Sequence, residues 1–384
     1  MSEKEWFLAL LLMIRALFFP TPTPEPTLTP IPTVIPTATL TSTPTPTATL
    51  TATPTAIPVV KVANPRQEPE DFQAGMAVVI YGNDQEFEAK TRKLLDRLAG
   101  LEVNSLNLVF PLFQDNWTSS TVWVDEKRTP SEERIRLFVR ESHKRGFMVT
   151  LRPLLDEASF APDGKWRGSI EPQDKEAWFE SYTEVILRYA KLAEEEDVEI
   201  LNIGTEFNSL ERETNQWLKL IEAVRTVYHG QLTYSVNWWN VSYDVGFWDK
   251  LDFIGVDAYF ALDAPKEATV EQLIAAWQPW LAQMTQLKAL FNKPLVFTEL
   301  GTTSQTGSHQ RPWVGEHINP IDLESQRRYY AAACRASLGL VNGIYWWSVG
   351  LDLPSNPKED PGHNPLGKPA EVEIRKCFGE MHQN

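Results

Sequence analysis

The sequence predicts an α/β protein, a closed (β/α)8 TIM barrel preceded by a disordered Thr/Pro-rich stalk. From about residue 73 onward, short apolar runs alternate with longer amphipathic segments. Strict alternation of strands and helices is typical of a parallel sheet with right-handed crossovers. Eight such units over roughly 300 residues fit the usual size of one barrel domain. We therefore assign residues 73–384 to a single barrel domain.

Eight apolar runs predict the strands. They are MAVVIYG at 76, SLNLVF at 105, FMVTLRP at 147, VEILNIGTE at 198, QLTYSVNWW at 231, DFIGVDAYF at 252, PLVFTEL at 294 and GIYWWSVG at 343. The first run is followed by YGNDQEFE and not by the Gly-rich loop GxGxxG. An open doubly wound sheet with a dinucleotide site is therefore disfavoured.

Helical spacing predicts the segments between the strands. They are EFEAKTRKLLDRLAG, SEERIRLFVRESHKRG, KEAWFESYTEVILRYAKLAEEE, TNQWLKLIEAVRTVYHG, TVEQLIAAWQPWLAQMTQLKALF and ESQRRYYAAACRASLGL, with PAEVEIRKCFGE as the last helix. Gly146 and Gly230 are expected to end two of them, as glycine often does. The connection after the fifth strand is short, with one helical turn around GFWDK.

The N-terminus is predicted to direct the protein to a membrane and to hold the barrel away from it. Residues 1–19 contain the apolar run WFLALLLMIRALFF, which fits a poor signal peptide or a signal anchor; a cytosolic start with an apolar tail is the alternative. Residues 20–72 are a predicted linker, with a proline every few residues from Pro20 to Pro58. Such a stretch favours extended polyproline II and cannot form a core. We expect an extracellular or surface-anchored domain, with a membrane tether through the N-terminus as one arrangement.

Composition excludes several classes of function. The formal net charge of -15 is spread along the chain, so a nucleic-acid partner is disfavoured. The six histidines show no metal-binding spacing, and we expect no cofactor and no metal. The chain has only two cysteines, Cys334 and Cys377, which are too few for a disulfide framework that would hold the fold together. The sequence does not show whether they pair; the simpler interpretation is that both are small core residues. No leftover apolar face indicates an obligate protein partner.

The C-terminal ends of the strands carry the candidate functional residues, because barrel enzymes have their active sites there. Glu206 ends LNIGTE and Glu299 ends PLVFTE, positions where a carboxylate is costly unless it is paired or used. A rim salt bridge explains either residue alone. Together they lie on the fourth and seventh predicted strands, which face each other across an eight-stranded barrel, as two carboxyl groups that flank one glycosidic bond must.

Four strings occur in order at these strand ends: IGTEFNSLE, DFIGVDAYF, VFTELGTTS and YWWSVG. Through them the domain resembles the clan of retaining (β/α)8 glycoside hydrolases, and most of all glycoside hydrolase family 113, known for endo-β-1,4-mannanase activity. The resemblance implies that Glu206 is the general acid/base and Glu299 the nucleophile. Glu206 then needs a raised pKa, whereas Glu299 needs hydrogen bonds and a cation that keep it ionised. Arg152 is the candidate cation, and its pairing with Asp156 or another rim acid is the alternative.

The resemblance also implies sugar-binding residues. Tyr259 is similar to the tyrosine that hydrogen-bonds the nucleophile in this clan, and Trp347 to the strand-eight tryptophan beneath the central sugar. Trp346 is then a core residue. The predicted substrate-binding set is Arg152, Asn237, Trp238, Asp257, Tyr259 and Trp347.

Other aromatic residues are also candidates for sugar contact. At most one of Trp238 and Trp239 can face the sugar, because adjacent strand residues point to opposite faces. Trp117 and Trp166, in loops on the catalytic side, are candidates for outer sugar contacts.

Thr205 stands where much of the clan has the asparagine that touches the sugar 2-hydroxyl. That contact then comes from another residue such as Asn237, or the sugar preference differs.

The sequence thus predicts a retaining β-glycoside hydrolase that cleaves a β-1,4-linked polysaccharide or oligosaccharide, with β-mannan favoured by resemblance. Its mechanism would be a double displacement by two glutamates. A non-catalytic carbohydrate-binding barrel at the cell surface is the first alternative, and the joint presence of Glu206 and Glu299 argues against it. A metal-dependent amidohydrolase is the second, and the missing histidine ligands argue against that.

Overall fold

The structure is a computed structural model that describes residues 72–82, 86–240 and 245–381. The predicted signal-like or anchor segment 1–19 and, except for Phe72, the predicted linker 20–72 lie outside the described residues. In the part that the structure describes, no helix combines the length and the apolar character needed to cross a bilayer.

Eight parallel strands close into a barrel in which each strand pairs with its neighbours in chain order. The predicted fold class is confirmed. The strands are β1 (Gln73–Val79), β2 (Ser105–Leu112), β3 (Met148–Leu155), β4 (Ile200–Thr205), β5 (Gln231–Asn237), β6 (Phe253–Asp257), β7 (Leu295–Leu300) and β8 (Gly343–Gly350).

Amphipathic helices surround the barrel in the described residues. They are α1 (Phe87–Ala99), α2 (Glu132–His143), α3 (Lys175–Glu195), α4 (Thr214–Arg225), α5 (Val270–Phe291), α6 (Leu323–Ser337) and α7 (Pro369–Met381). The described part of the connection from β5 to β6 holds only two 3-10 turns, at Trp238–Asn240 and Trp248–Lys250. The second of them lies in the GFWDK segment, as predicted.

Two glycines predicted to end helices behave differently. Gly146 follows the end of α2 at φ +78°, in the left-handed conformation that glycine adopts easily. Helix α4 instead ends at Arg225, five residues before Gly230, so this prediction is wrong. Gly230 is needed for space, because a Cβ there would lie 2.2 Å from the hydroxyl oxygen of Tyr228.

The packing leaves the C-terminal end of the barrel for polar groups. A small apolar cluster of Ile200, Phe253, Val296 and Tyr345 comes from strands alone, near their N-terminal ends, and fills that end of the barrel interior. The main core lies between the strands and the helices. Trp346 belongs to it and stacks on Tyr330 with ring centroids 4.2 Å apart, so its interpretation as a core residue is confirmed.

Cys334 in α6 and Cys377 in α7 form a disulfide with a Cα–Cα distance of 5.8 Å. The simpler interpretation of two unpaired core residues is therefore wrong. The two helices are neighbours on the outside of the barrel, a tertiary contact that the local sequence does not show. Disulfides form and persist mainly in oxidising compartments.

Removing this disulfide should destabilise the barrel without altering its active site. The bridge spans 43 residues of chain, and we expect the double variant Cys334→Ala/Cys377→Ala to lose about 2–4 kcal/mol of unfolding free energy. Guanidinium denaturation measures the loss, and the wild-type protein treated with a reductant should show the same midpoint as the variant. An unchanged midpoint in both samples would contradict the bridge.

Candidate active site

Glu206 follows β4 directly and has a strained backbone. Its φ is +54°, in the left-handed region that non-glycine residues rarely adopt. Its amide N–H donates to the Ser235 carbonyl at 2.8 Å, and the register between β4 and β5 shifts just before it, between Asn202 and Thr205. Backbone strain of this kind clusters at functional sites. Here it directs a buried carboxyl into the mouth of the barrel.

Two side chains hold the Glu206 carboxyl group. Asn237 at the end of β5 donates from Nδ2 to Oε1, and Arg167 donates from Nη1 to Oε2 at 2.8 Å. Asn237 was predicted to contact the sugar; in the structure its amide also holds the predicted acid/base. Arg167 was not predicted. It lies in the loop between β3 and α3, which has neither periodicity nor a motif to indicate a role.

The environment of Glu206 suits a proton donor. Burial, followed by the negative charge of Asp257, raises the pKa of Glu206 to about 7, although Arg167 and Arg152 oppose the rise. A carboxyl group with this pKa is still partly protonated at neutral pH, as a general acid must be. The raised pKa expected from the sequence is therefore present.

Glu299 in β7 has the two partners that the resemblance implied. The Arg152 Nη2 atom lies 2.6 Å from Oε1, and the Tyr259 hydroxyl donates to Oε2 at 2.7 Å. Asp156 is not the partner of Arg152, since it accepts from the Tyr81 hydroxyl at 3.3 Å instead. The proposed nucleophile is thus fixed at both oxygens.

Arg152 and Asp257 lie behind Glu299 and do not face the cleft. Both side chains are 0% exposed, and Arg152 contacts both Asp257 and Glu299; that Arg152 and Asp257 contact the substrate stays a prediction. Arg152 Nη2 also lies 2.8 Å from Asp257 Oδ2, and Asp257 Oδ1 accepts from the Thr298 hydroxyl at 2.8 Å. One guanidinium therefore serves two buried carboxylates, one of which is Glu299.

The sharing of Arg152 affects the ionisation of Glu299. Burial and the charge of Asp257 raise the pKa of Glu299 to about 8, and the opposing effects of Arg152 and the Tyr259 hydrogen bond are smaller. The sequence led us to expect a pKa kept low by a cation; the cation is present, but burial outweighs it. Because Glu206 and Glu299 repel each other's charge, the pair holds one proton most readily near neutral pH.

Thr205, the departure from the clan, is turned toward Arg152. Its hydroxyl accepts from Arg152 Nε at 3.2 Å, and the residue is buried. The side chain therefore supports the cation that holds Glu299. That a contact to a sugar 2-hydroxyl comes from another residue stays a prediction.

Trp347 and Trp238, the two tryptophans in the predicted substrate-binding set, have different surroundings. Trp347 is half-buried and packs with Ala77, Val109 and Leu154 at the C-terminal end of the barrel interior, which leaves part of its ring free. Trp238 belongs to a 3-10 turn rather than to β5, and its ring stacks on Trp313 with centroids 4.9 Å apart.

Trp239, not Trp238, is the more open ring of that turn. It is 57% exposed, and its ring centroid lies 6.4 Å from that of Trp166. Its amide N–H donates to Asn237 Oδ1 at 3.2 Å, which ties it to the Glu206 side of the site. Trp117 carries the Lys165 ammonium 4.0 Å above its ring centroid, so one of its faces is already occupied.

The described residues place no group of three or more His, Cys, Asp or Glu side chains where it would hold a metal ion. The chemistry within reach of the site is that of Glu206 and Glu299 with their partners. A closed barrel that presents two buried glutamates after β4 and in β7 has the arrangement of a glycosidase active site.

Residues 78–368 match the model of Glycoside Hydrolase Family 113. The match spans more than half of the chain, which belongs to this family and is a glycoside hydrolase. No curated relative matches the chain significantly.

Solved structures agree with this assignment. A family 113 β-mannanase from Alicyclobacillus acidocaldarius is 26% identical over 81% of this chain and 98% of its own, with a TM-score of 0.73. A second family 113 β-1,4-mannanase is 24% identical over 80% of this chain and 99% of its own, with a TM-score of 0.71. A β-glucuronidase from Ruminococcus gnavus is 13% identical over 80% of this chain and 50% of its own, with a TM-score of 0.55, and shares the fold alone.

Proposed function

We propose that this glycoside hydrolase is a retaining endo-β-1,4-mannanase that works by double displacement through Glu299 and Glu206. The observation that carries the proposal is that two buried carboxyl groups, after β4 and in β7, are each held at both oxygens. Glu299 is held at both oxygens by Arg152 and Tyr259, as a nucleophile must be held for attack. Glu206 is held by Asn237 and Arg167. Because the pKa of both carboxyl groups is raised, the pair can carry the one proton that the acid step needs while the other group attacks.

In the first step a carboxylate oxygen of Glu299 attacks the anomeric carbon while Glu206 protonates the departing glycosidic oxygen. The bond to the leaving sugar breaks, and a covalent glycosyl-enzyme forms. In the second step Glu206, now ionised, takes a proton from water as the water attacks the anomeric carbon and displaces Glu299. Two inversions restore the starting β configuration.

The substrate class is supported by the likeness to the Alicyclobacillus acidocaldarius β-mannanase and by the aromatic rings. The partly free ring of Trp347 suits the apolar face of one sugar. Trp239 and Trp166 place further rings on the Glu206 side of the site. A cleft that offers rings beyond the central sugar suits internal cleavage of a polymer.

Export to the outside of the cell is the second part of the proposal. The Cys334–Cys377 disulfide supports an oxidising compartment, and the Thr/Pro-rich stretch before the barrel suits a stalk. Fractionation of the source cells should find the protein in the medium or at the surface. Recovery from the cytosol alone would reject export.

A panel of β-mannan, xylan and cello-oligosaccharides tests the activity. We expect hydrolysis of β-mannan with kcat/KM at least about 10-fold above the other two, because pocket contacts alone discriminate similar sugars by factors of this order or more. Proton NMR of the first-formed product should show the β anomer. Faster cleavage of xylan would reject the substrate, an α anomer would reject retention, and binding without turnover would favour the non-catalytic barrel.

A further inference from the structure

Arg167 and Glu157 extend a line of charges from Glu206 that the mechanism above does not use. The Arg167 Nη2 atom lies 3.0 Å from Glu157 Oε1, and the Arg167 amide N–H donates to the same oxygen at 3.1 Å. The guanidinium is further fixed by donation from Nε to the Leu155 carbonyl at 3.1 Å. The end of β3 and Glu157 therefore help to fix its position between the two carboxylates, together with its bond to Glu206.

A fixed cation at this place has opposite effects on the two roles of Glu206. It favours the ionised form, which acts as the base in the second step, and disfavours the protonated form, which acts as the acid in the first. A second carboxylate on the far side of the cation reduces this preference. Glu157 occupies that place, with a side chain 30% exposed.

We propose that Arg167 and Glu157 are positioning residues that set the ionisation of Glu206 between its acid and base roles. The inference rests on the proposed function of Glu206 as acid/base. Neither residue needs to touch the substrate, since both act through the Glu206 carboxyl group. Arg167 holds one oxygen of that group, and Glu157 balances the charge of Arg167.

Other charged and titratable groups face Glu206 and Arg167 from the neighbouring strands and loops, and neither substitution below removes any of them. They are Tyr81 after β1, Arg152 in β3, Asp257 in β6, Tyr259 after β6 and Glu299 in β7; Asp156 after β3 faces Tyr81.

The two substitutions should move the ionisation of Glu206 in opposite directions. Arg167→Gln removes a positive charge that lowers the pKa of Glu206, so the alkaline limb of kcat/KM should move up by about one pH unit. Glu157→Gln removes a negative charge and leaves Arg167 to Glu206 alone, so the limb should move down by about one pH unit. Arg167→Lys keeps the charge and should stay near the wild-type limb.

The test combines pH profiles of kcat/KM on a manno-oligosaccharide with a direct titration. Full-length protein carrying 13C-labelled glutamate carboxyl groups is titrated by NMR, and Glu206→Gln assigns the Glu206 signal. Glu171→Gln is the matched control, because Glu171 lies in the same loop and pairs with Lys165 at 3.6 Å. The alkaline limb of kcat/KM for this variant should not move.

The inference is supported if Arg167→Gln and Glu157→Gln shift the ionisation of Glu206 in opposite directions, both in the alkaline limb of kcat/KM and in the NMR titration. Shifts in the same direction, or none in either variant, overturn it. The titration needs no substrate, so a wild-type protein inactive on β-mannan would sink the proposed function and still leave the inference tested. If Arg167→Gln fails to fold, the downward shift expected for Glu157→Gln still decides the outcome.

Discussion

Replacing Glu299 by glutamine is expected to lower kcat on β-mannan by on the order of 10^5-fold or more, the scale seen when a covalent nucleophile is removed. Glutamine keeps the shape of the side chain and a hydrogen-bond acceptor for Tyr259, whose hydroxyl now donates to Glu299. It has no carboxylate to form the glycosyl-enzyme. Steady-state kinetics with a long assay and a concentrated variant measure the loss.

Glu206→Ala provides the contrasting control. Its loss should be reversed in part by azide when the substrate has a good leaving group, because azide attacks the glycosyl-enzyme without needing a general base. Glu299→Gln should gain nothing from azide. Turnover by Glu299→Gln above about one hundredth of the wild-type rate would contradict the assignment of the nucleophile.

Arg152→Met should both unfold more easily and lose activity. The change leaves Asp257 and Glu299 buried without their shared guanidinium, and breaking a buried pair in this way costs about 3–5 kcal/mol. Activity should fall in the folded fraction as well, because the pKa of Glu299 rises further when the cation is lost. Urea denaturation and kinetics on the same preparation separate the two effects.

The pH dependence of this variant has a definite sign. Loss of the cation raises the folded-state pKa of both carboxyl groups above the wild-type values, so the deficit in stability grows as pH rises through the wild-type folded-state pKa, about 8 for Glu299, and shrinks at lower pH. Adding Asp257→Asn should recover part of the loss. Arg335→Met is the matched control, since Arg335 pairs with Glu271 at 3.5 Å on the surface and should cost about 1 kcal/mol or less. Equal losses of unfolding free energy in Arg152→Met and Arg335→Met would contradict the structural role given to Arg152.

The fold and the position of the two proposed catalytic glutamates at strand ends were predictable because both depend on patterns along the chain. Eight apolar runs marked the strands, and Glu206 and Glu299 stood where such runs end. The partners of these residues depend on which loops and strands meet in space. Asn237 was predicted as a site residue from its strand end, but its contact with Glu206 depends on the pairing of β4 with β5.

Residues in irregular segments were the least predictable. Arg167 lies in a loop where no periodicity applies, so nothing marked it as a partner of Glu206. Trp238 was preferred to Trp239 by strand reasoning, but the chain leaves β5 at Asn237 and turns, which opens the Trp239 ring. Arg152 and Asp257 sit at strand ends like the catalytic pair, and only the packing shows that they are fully buried.

Trapping of the glycosyl-enzyme tests the central claim most directly. A 2-fluoro mannosyl fluoride forms the covalent intermediate through its good leaving group, while the fluorine slows hydrolysis by destabilising the charged transition state. Mass spectrometry of a protease digest should then find the sugar on Glu299, within VFTELGTTS, with no labelling of Glu299→Gln. A label on another residue, or turnover of the reagent with no covalent adduct and an inverted product, would contradict the account.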